Sequence, residues 1–327
     1  MEGVGYTVLS KQSKIYIAGH RGLIGTAVTG KLQEAGYSNL IFREHSELDL
    51  TSQAAVYDFF HAERPEYVIM NAAVPANSVN VKKNPVKLML DNTAMIQNVF
   101  SAALDTGVKK LLYACSVACY PSEALLSCET AGEGSLSEEL LQPGRIEKVT
   151  ERYYAMPKLL GEELCRAMND HGIMKCVTLV IPHAYGICYH YEDPSRLPVY
   201  PALIKRFCDA AKNHTPEVVI WGSGKLLREF TYVDDIADGY RLLMEQDDAE
   251  GIYNIGAGQF VSIREAAETM KEVTGYQGEI TFDLTKPEGI GFPLLNTEKL
   301  RALGWRPMTE FKDGVKKSCE YYERMFR

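Results

Sequence analysis

The sequence predicts an α/β fold: a doubly wound parallel sheet with a smaller, discontinuous α/β lobe beside it. Three observations carry this expectation. Short apolar, β-branched runs at 14–18, 39–42, 67–71, 110–114 and 176–181 alternate with helical patterns at 23–35, 52–63, 86–106 and 154–170. The first run is followed at once by Gly19-x-x-Gly22-x-x-Gly25 and an amphipathic helix. The chain has 327 residues, 46% hydrophobic and 24% charged, enough for a full sheet domain and a second lobe. Such alternation implies right-handed crossovers and a ligand at the carboxyl ends of the strands.

The strand 14–18, its glycine turn and the helix 23–35 form the arrangement of a dinucleotide-binding (Rossmann) unit. A pyrophosphate needs backbone N–H groups at a helix N-terminus and no side chains in the way. Gly19 and Gly22 would supply the turn and the close approach, Leu23 and Ile24 the N–H groups, and Gly25 the helix–strand contact. Three glycines alone also suit a tight turn in another α/β protein. The second strand ends in Arg43, where an enzyme using NAD would carry an acidic group for the ribose 2′-hydroxyl. Arginine there suits the 2′-phosphate of NADP, with Arg21 as a second candidate. Either is otherwise an ordinary solvated arginine. Asp49-Leu50 and Asn71-Ala72-Ala73 follow the next strands. Asp49 either accepts from the adenine amino group or helps to cap the helix near Thr51, while Ala72 and Ala73 let backbone pass beside the cofactor.

Ser116 follows the fourth strand, and Tyr154 and Lys158 lie four apart on one face of a helix. Proton transfer at a carbonyl needs a positioned phenol, and a nearby ammonium and a cationic nicotinamide favour the phenolate. A serine hydroxyl can hold the substrate oxygen, and Lys158 can also hold the nicotinamide ribose. Tyr153 is a competing phenol, but its spacing to Lys158 is five. Pro157 is placed within the first turn of the helix, where it is tolerated.

The formal net charge of −8 argues against non-specific nucleic-acid binding and leaves an anionic substrate open. Residues 1–13 lack the apolar core of a signal peptide, and no apolar run approaches membrane-spanning length. The eight cysteines, at 115, 119, 128, 165, 176, 188, 208 and 319, form no C-x-x-C pair. Reduced thiols in a cytoplasmic enzyme without a metal are expected.

Together these residues resemble the extended short-chain dehydrogenase/reductase family, and within it the GDP-L-fucose synthase group. The resemblance runs from Lys14 to Arg327. It rests on Gly19-His20-Arg21-Gly22, Glu47-Leu48-Asp49-Leu50, Val219-Ile220-Trp221-Gly222-Ser223-Gly224 and, most specifically, Arg228-Glu229-Phe230 before Val233-Asp234-Asp235. It implies an NADPH-dependent reductase with Ser116, Tyr154 and Lys158 as its triad, and Arg43 and Arg21 facing the NADP phosphate. Trp221, Arg228, Arg206 and Lys286 would line a GDP-sugar site, where an arginine fork suits a pyrophosphate. The resemblance also implies a homodimer built on the helices near 86–106 and 154–170. It further implies a division into an NADP-binding domain, 1–181 with 226–255 returning to it, and a nucleotide-sugar lobe, 182–225 with 256–327.

The departures concern epimerisation. Fucose synthases use a cysteine and a histidine to exchange the protons on carbons 3 and 5 beside a 4-keto group. Ala118 stands at the cysteine position and Pro198 at the histidine position, and neither can transfer a proton. The expected activity is therefore reduction of a GDP-linked 4-keto sugar without 3,5-epimerisation. Two alternatives are a bifunctional synthase in which Cys119, His183 or His190 substitutes, and a non-catalytic NADP-binding regulator. Ile290-Gly291-Phe292-Pro293 replaces a basic segment, which leaves the sugar open. An insertion rich in Glu and Gly, 130–152, precedes the catalytic tyrosine and reads as an acidic loop.

Overall fold

A computed structural model describes residues 9–75, 84–125, 134–142, 144, 152–187, 191, 199–286 and 291–326. The first half alternates strictly: β1 (Ile15–Ala18), α1 (Leu23–Glu34), β2 (Leu40–Ile41), α2 (Gln53–Glu63), β3 (Tyr67–Met70), α3 (Pro85–Thr106) and β4 (Lys110–Ser116). A two-residue β5 (Ser135–Leu136) precedes α4 (Arg152–Asp170), β6 (Lys175–Ile181) and β7 (His183–Tyr185). Then come α5 (Val199–Lys212), β8 (Glu217–Trp221), β9 (Leu227–Arg228), β10 (Phe230–Tyr232), α6 (Val233–Glu245) and β11 (Gly251–Asn254). The chain continues through β12 (Val261–Ser262), α7 (Ile263–Thr274), β13 (Glu279–Asp283), β14 (Leu294–Leu295), α8 (Glu298–Ala302) and α9 (Phe311–Phe326).

Six strands form one parallel sheet in the order β11-β6-β4-β3-β1-β2. Every residue of β1 and β3 is buried, as strands covered on both faces require, which is why they read as unbroken apolar runs. The chain reverses direction across the sheet between β1 and β3, and Ala18 pairs with Met70 there, so the two strands end level. That switch point opens the crevice in which a doubly wound sheet binds its ligand.

The elements fall where the alternation predicts them, with two shifts that matter. Strand β4 runs on to Ser116, zipped to Ile181 of β6, so the serine is the last residue of the ladder. Helix α4 has begun by Arg152, which moves Pro157 into its second turn, where the ring removes the N–H that would bond the Tyr153 carbonyl.

One face of the sheet packs Val56, Phe60, Val99, Phe100 and Leu159 from α2, α3 and α4. The other packs Val28 and Leu32 of α1 with Ile236, Tyr240 and Leu243 of α6, while β11 closes the edge beyond β6. Each such side chain contributes about 1.5–3 kcal/mol on full burial. A third core, with Tyr185, Phe207, Ile220, Phe230, Met270 and Tyr322, is built from β7, α5, β8, β10, α7 and α9.

Candidate active site

The glycine turn lies directly on the loop after β3. Gly19 has φ +81°, and a Cβ on it would sit 2.7 Å from the Ala72 nitrogen, so a side chain is excluded on two grounds. A Cβ on Gly25 would overlap the Gly19 carbonyl oxygen, so Gly25 packs on the turn itself rather than on the strand. Gly22 is the N-cap of α1; no side chain caps the helix, and its first turn holds no carboxylate. The orphan N–H groups and the positive end of the dipole at Leu23 and Ile24 thus face an uncluttered cradle, which fits a dinucleotide pyrophosphate.

At the adenosine end the two arginines each meet a carboxylate. Arg21 pairs with Glu44. Arg43 pairs with Glu63, donates to the Phe42 carbonyl at 2.7 Å and lies 5.1 Å over the Phe59 ring. Asp49 accepts from the N–H and hydroxyl of Thr51 at 2.9 and 2.8 Å, which holds its carboxyl below the usual range. These are the contacts of its local-turn reading, although the helix cap is Ser52, whose Oγ accepts from Ala55. The Leu50 carbonyl accepts from Asn98 at 2.9 Å.

The proton-transfer group is assembled from α4 and the end of β4. Lys158 is buried, and its ammonium donates to the Ala114 carbonyl at 2.7 Å, two residues before Ser116. Tyr154 is one helical turn earlier, with the Lys158 nitrogen 5.9 Å from its ring centre. Ser116 accepts from the Ala118 N–H at 3.2 Å, which leaves its own proton to donate. Burial lowers Lys158 from its ordinary range, and burial raises the Tyr154 phenol, so the phenol stays protonated. A protonated phenol beside an ammonium is a proton donor waiting for an oxyanion.

Of the residues weighed as substitute epimerising groups, Cys119 and His183 are placed poorly for that role. Ala118 is buried in the short 3₁₀ turn Val117–Cys119. The Cys119 thiol is turned under α4, where it donates to the Ala155 carbonyl at 3.6 Å, and burial raises its pKa. His183 lies between Phe230 and Phe292; burial and then the neighbouring Arg228 pull its imidazole down to about 3. Pro198, His190, Cys128, Cys188, Ile290 and most of the 130–152 insertion lie outside the described residues. The six described cysteines are buried, free thiols.

In the second lobe, Arg206 and Trp221 line one groove of about 420 Å³, together with Asp209, Asn213 and Glu217. Arg206 donates to the Val219 carbonyl at 2.8 Å. Trp221 is largely exposed, and Lys286 lies 5.7 Å over its ring. Arg228 is on β9, with its guanidinium 5.8 Å from the centre of Phe292.

Three supporting groups escaped the sequence. Tyr120 donates to the Asn254 side-chain oxygen at 2.8 Å, while Asn254 donates through its backbone N–H to the Glu138 carboxylate at 2.9 Å and through its amide nitrogen to the Leu136 carbonyl at 2.8 Å, tying the segment after Ser116 to β11 and β5. Glu229, within Arg228-Glu229-Phe230, is buried and accepts from the N–H groups of Gly258 and Leu295, joining the junction of β9 and β10 to β14. Tyr240 donates to Asn71 at 2.7 Å. Each is a contact across 29 or more residues with no local signature.

Comparison with known proteins agrees with this geometry. Residues 15–256 match the NAD dependent epimerase/dehydratase family. The chain belongs to that family. It is 38% identical over 324 residues to GDP-L-fucose synthase 1 of Arabidopsis thaliana, covering 98% of this chain and 97% of that protein. Among solved structures it resembles a GDP-6-OMe-4-keto-L-xylo-heptose reductase from C. jejuni, at 30% identity and a TM-score of 0.86, covering 97% and 99% of the two chains. It also resembles a GDP-mannoheptose C4 reductase from Campylobacter jejuni with NADP bound, at 32% identity and a TM-score of 0.82, covering 96% and 99%.

Proposed function

We propose that this chain, an NADP-dependent oxidoreductase, reduces the 4-keto group of a GDP-linked sugar and does not epimerise carbons 3 and 5. The observation that carries the reading is the Lys158–Ala114 bond, which draws the Tyr154-Lys158 face of α4 onto the end of β4 at Ser116. Bound NADPH would supply a hydride for carbon 4. Tyr154 gives its proton to the carbonyl oxygen, Ser116 donates a hydrogen bond to the same oxygen, and the Lys158 ammonium stabilises the phenolate left behind. Gly19, Gly22, Leu23, Ile24, Gly25, Asn71, Ala72 and Ala73 hold the dinucleotide at the switch point. Arg21 and Arg43 are the groups that would turn from Glu44 and Glu63 towards its 2′-phosphate. Trp221, Arg206 and Lys286, with Arg228, receive the nucleotide.

The absence of epimerisation follows from Ala118 and from the orientation of Cys119, whose thiol faces the Ala155 carbonyl. An alanine methyl has no titratable proton, and an unassisted C–H beside a ketone exchanges slowly compared with turnover. The test is loss of reduced-nicotinamide absorbance with a panel of GDP-4-keto hexoses and heptoses, run in deuterated water with products read by NMR. Hydride at carbon 4 without deuterium at carbons 3 or 5 is expected. Deuterium there above a no-enzyme control would favour the fucose synthase reading, and no oxidation of NADPH with any sugar would favour a non-catalytic regulator.

The same reading takes the chain as a cytoplasmic homodimer that binds neither nucleic acid nor membrane. It keeps the division into a cofactor domain, 1–181 with 226–255, and a sugar lobe, 182–225 with 256–327. Helices α3 and α4 pack side by side, and their outer faces expose Val86, Leu90, Met156 and Leu160, from 41% to 71%. A second copy would cover this stripe. Among the described residues no helix is long and apolar enough to cross a membrane.

A further inference from the structure

Asn71 stands at the carboxyl end of β3, where its N–H bonds the Ala18 carbonyl at 3.1 Å and the neighbouring Ala72 touches Gly19. Its side-chain oxygen accepts from the Tyr240 hydroxyl at 2.7 Å. The amide nitrogen on the other side is buried and has no partner among the described residues. Buried amide donors are nearly always paired, and leaving one orphaned is costly, so such an atom at a ligand crevice asks for an explanation.

Tyr240 decides which way the amide points. It is fully buried on α6, burial keeps its phenol protonated, and it gives that proton to Asn71 Oδ1. With Oδ1 held towards α6, the NH₂ is left on the opposite side of the amide, at the carboxyl end of β3.

We infer that Tyr240 is a positioning residue that locks the Asn71 amide so that its NH₂ donates to an oxygen of the bound dinucleotide. The inference deepens the cofactor reading and rests on it. Asn71 binds and Tyr240 acts through it, across 169 residues of sequence.

The test is NADPH binding to the full chain, followed by the fluorescence of the reduced nicotinamide, with melting temperature measured alongside. Asn71→Asp keeps an oxygen for Tyr240 but replaces the donor with an acceptor; its NADPH affinity falls by about tenfold or more while melting stays within a few degrees. Tyr240→Phe releases the amide and weakens NADPH about fivefold. The double variant binds no more weakly than Asn71→Asp alone, because both changes remove one interaction. Wild-type affinity in Asn71→Asp overturns the inference, as do losses that multiply in the double variant. Should Tyr240→Phe fail to fold, Asn71→Asp alone decides. Wild-type protein that binds no NADPH would instead sink the cofactor reading itself.

Discussion

Adding one methyl group at Gly161 should disable the enzyme more than it destabilises it. Gly161 lies in α4, one turn after Lys158, and is packed on the fully buried Tyr113 of β4. A Cβ there would come within 2.8 Å of Tyr113 Cε1, and nearer still to Cζ and the hydroxyl. Ordinary carbon contacts need about 3.5–4.0 Å, and Tyr113 is enclosed in the core, so the helix must retreat by about 1 Å. Overpacking of this kind costs about 1–3 kcal/mol, partly offset by the roughly 1 kcal/mol that alanine gains over glycine in a helix. The net loss of stability is therefore small, about 0–2 kcal/mol. The catalytic effect is larger, because the Tyr113 hydroxyl donates to the Lys158 carbonyl at 3.2 Å and the Lys158 ammonium reaches Ala114 at 2.7 Å. A 1 Å displacement of positioned groups can lower turnover about a hundredfold. Urea unfolding and steady-state turnover of Gly161→Ala measure both quantities. Gly30→Ala in α1 is the control, since among the described residues nothing lies within 4 Å of a Cβ there and helix propensity alone should act. Turnover of Gly161→Ala within threefold of wild type would refute the argument that this close approach sets the catalytic geometry.

Four other outcomes are expected. Tyr154→Phe lowers turnover by about two to four orders of magnitude with NADPH binding nearly intact, as stopped-flow and fluorescence titration would show. Arg43→Asp removes a preference for NADPH over NADH, read as the ratio of kcat/KM for the two; a wild type indifferent to the phosphate would reject the role of Arg43. His183 is buried neutral at about 3 against an ordinary value of 6.5, so it favours the folded state above pH 6.5 and this contribution is lost as pH falls. Between pH 6.5 and 5 that amounts to about 2 kcal/mol, and His183→Gln should flatten the pH dependence of unfolding by about one proton over that range. Leu90→Asp on the exposed face of α3 should give a monomer by light scattering, and a wild type already monomeric at micromolar concentration would dismiss the dimer.

What could be read from the chain follows the range of the interactions involved. The β1–turn–α1 unit was legible because its constraint is local: Gly19 must hold a positive φ, and the apolar run before it must be a strand buried on both faces. Tyr154 and Lys158 were legible because one helical turn separates them. Ser116 was placed after its strand, whereas it closes the ladder with Ile181, since strand ends depend on a neighbour 65 positions away that periodicity does not report. Nothing in the local sequence of α6 marks Tyr240, and nothing in that of α4 marks Gly161. Their partners, Asn71 and Tyr113, are fixed by tertiary packing alone.

The return of α6 and β11 to the sheet also governs how the protein must be made. The face of the sheet that carries Ile15, Ile17, Val177 and Leu179 is covered by Ile236, Tyr240 and Leu243 as well as by α1. On a ribosome, everything through β6 is synthesised before those covering residues exist, so the nascent chain carries an open apolar surface for the time needed to add more than fifty residues. That is the stage at which a chaperone would find a surface to bind. A message cut short before residue 233 would yield an aggregating product, not a smaller dinucleotide-binding protein.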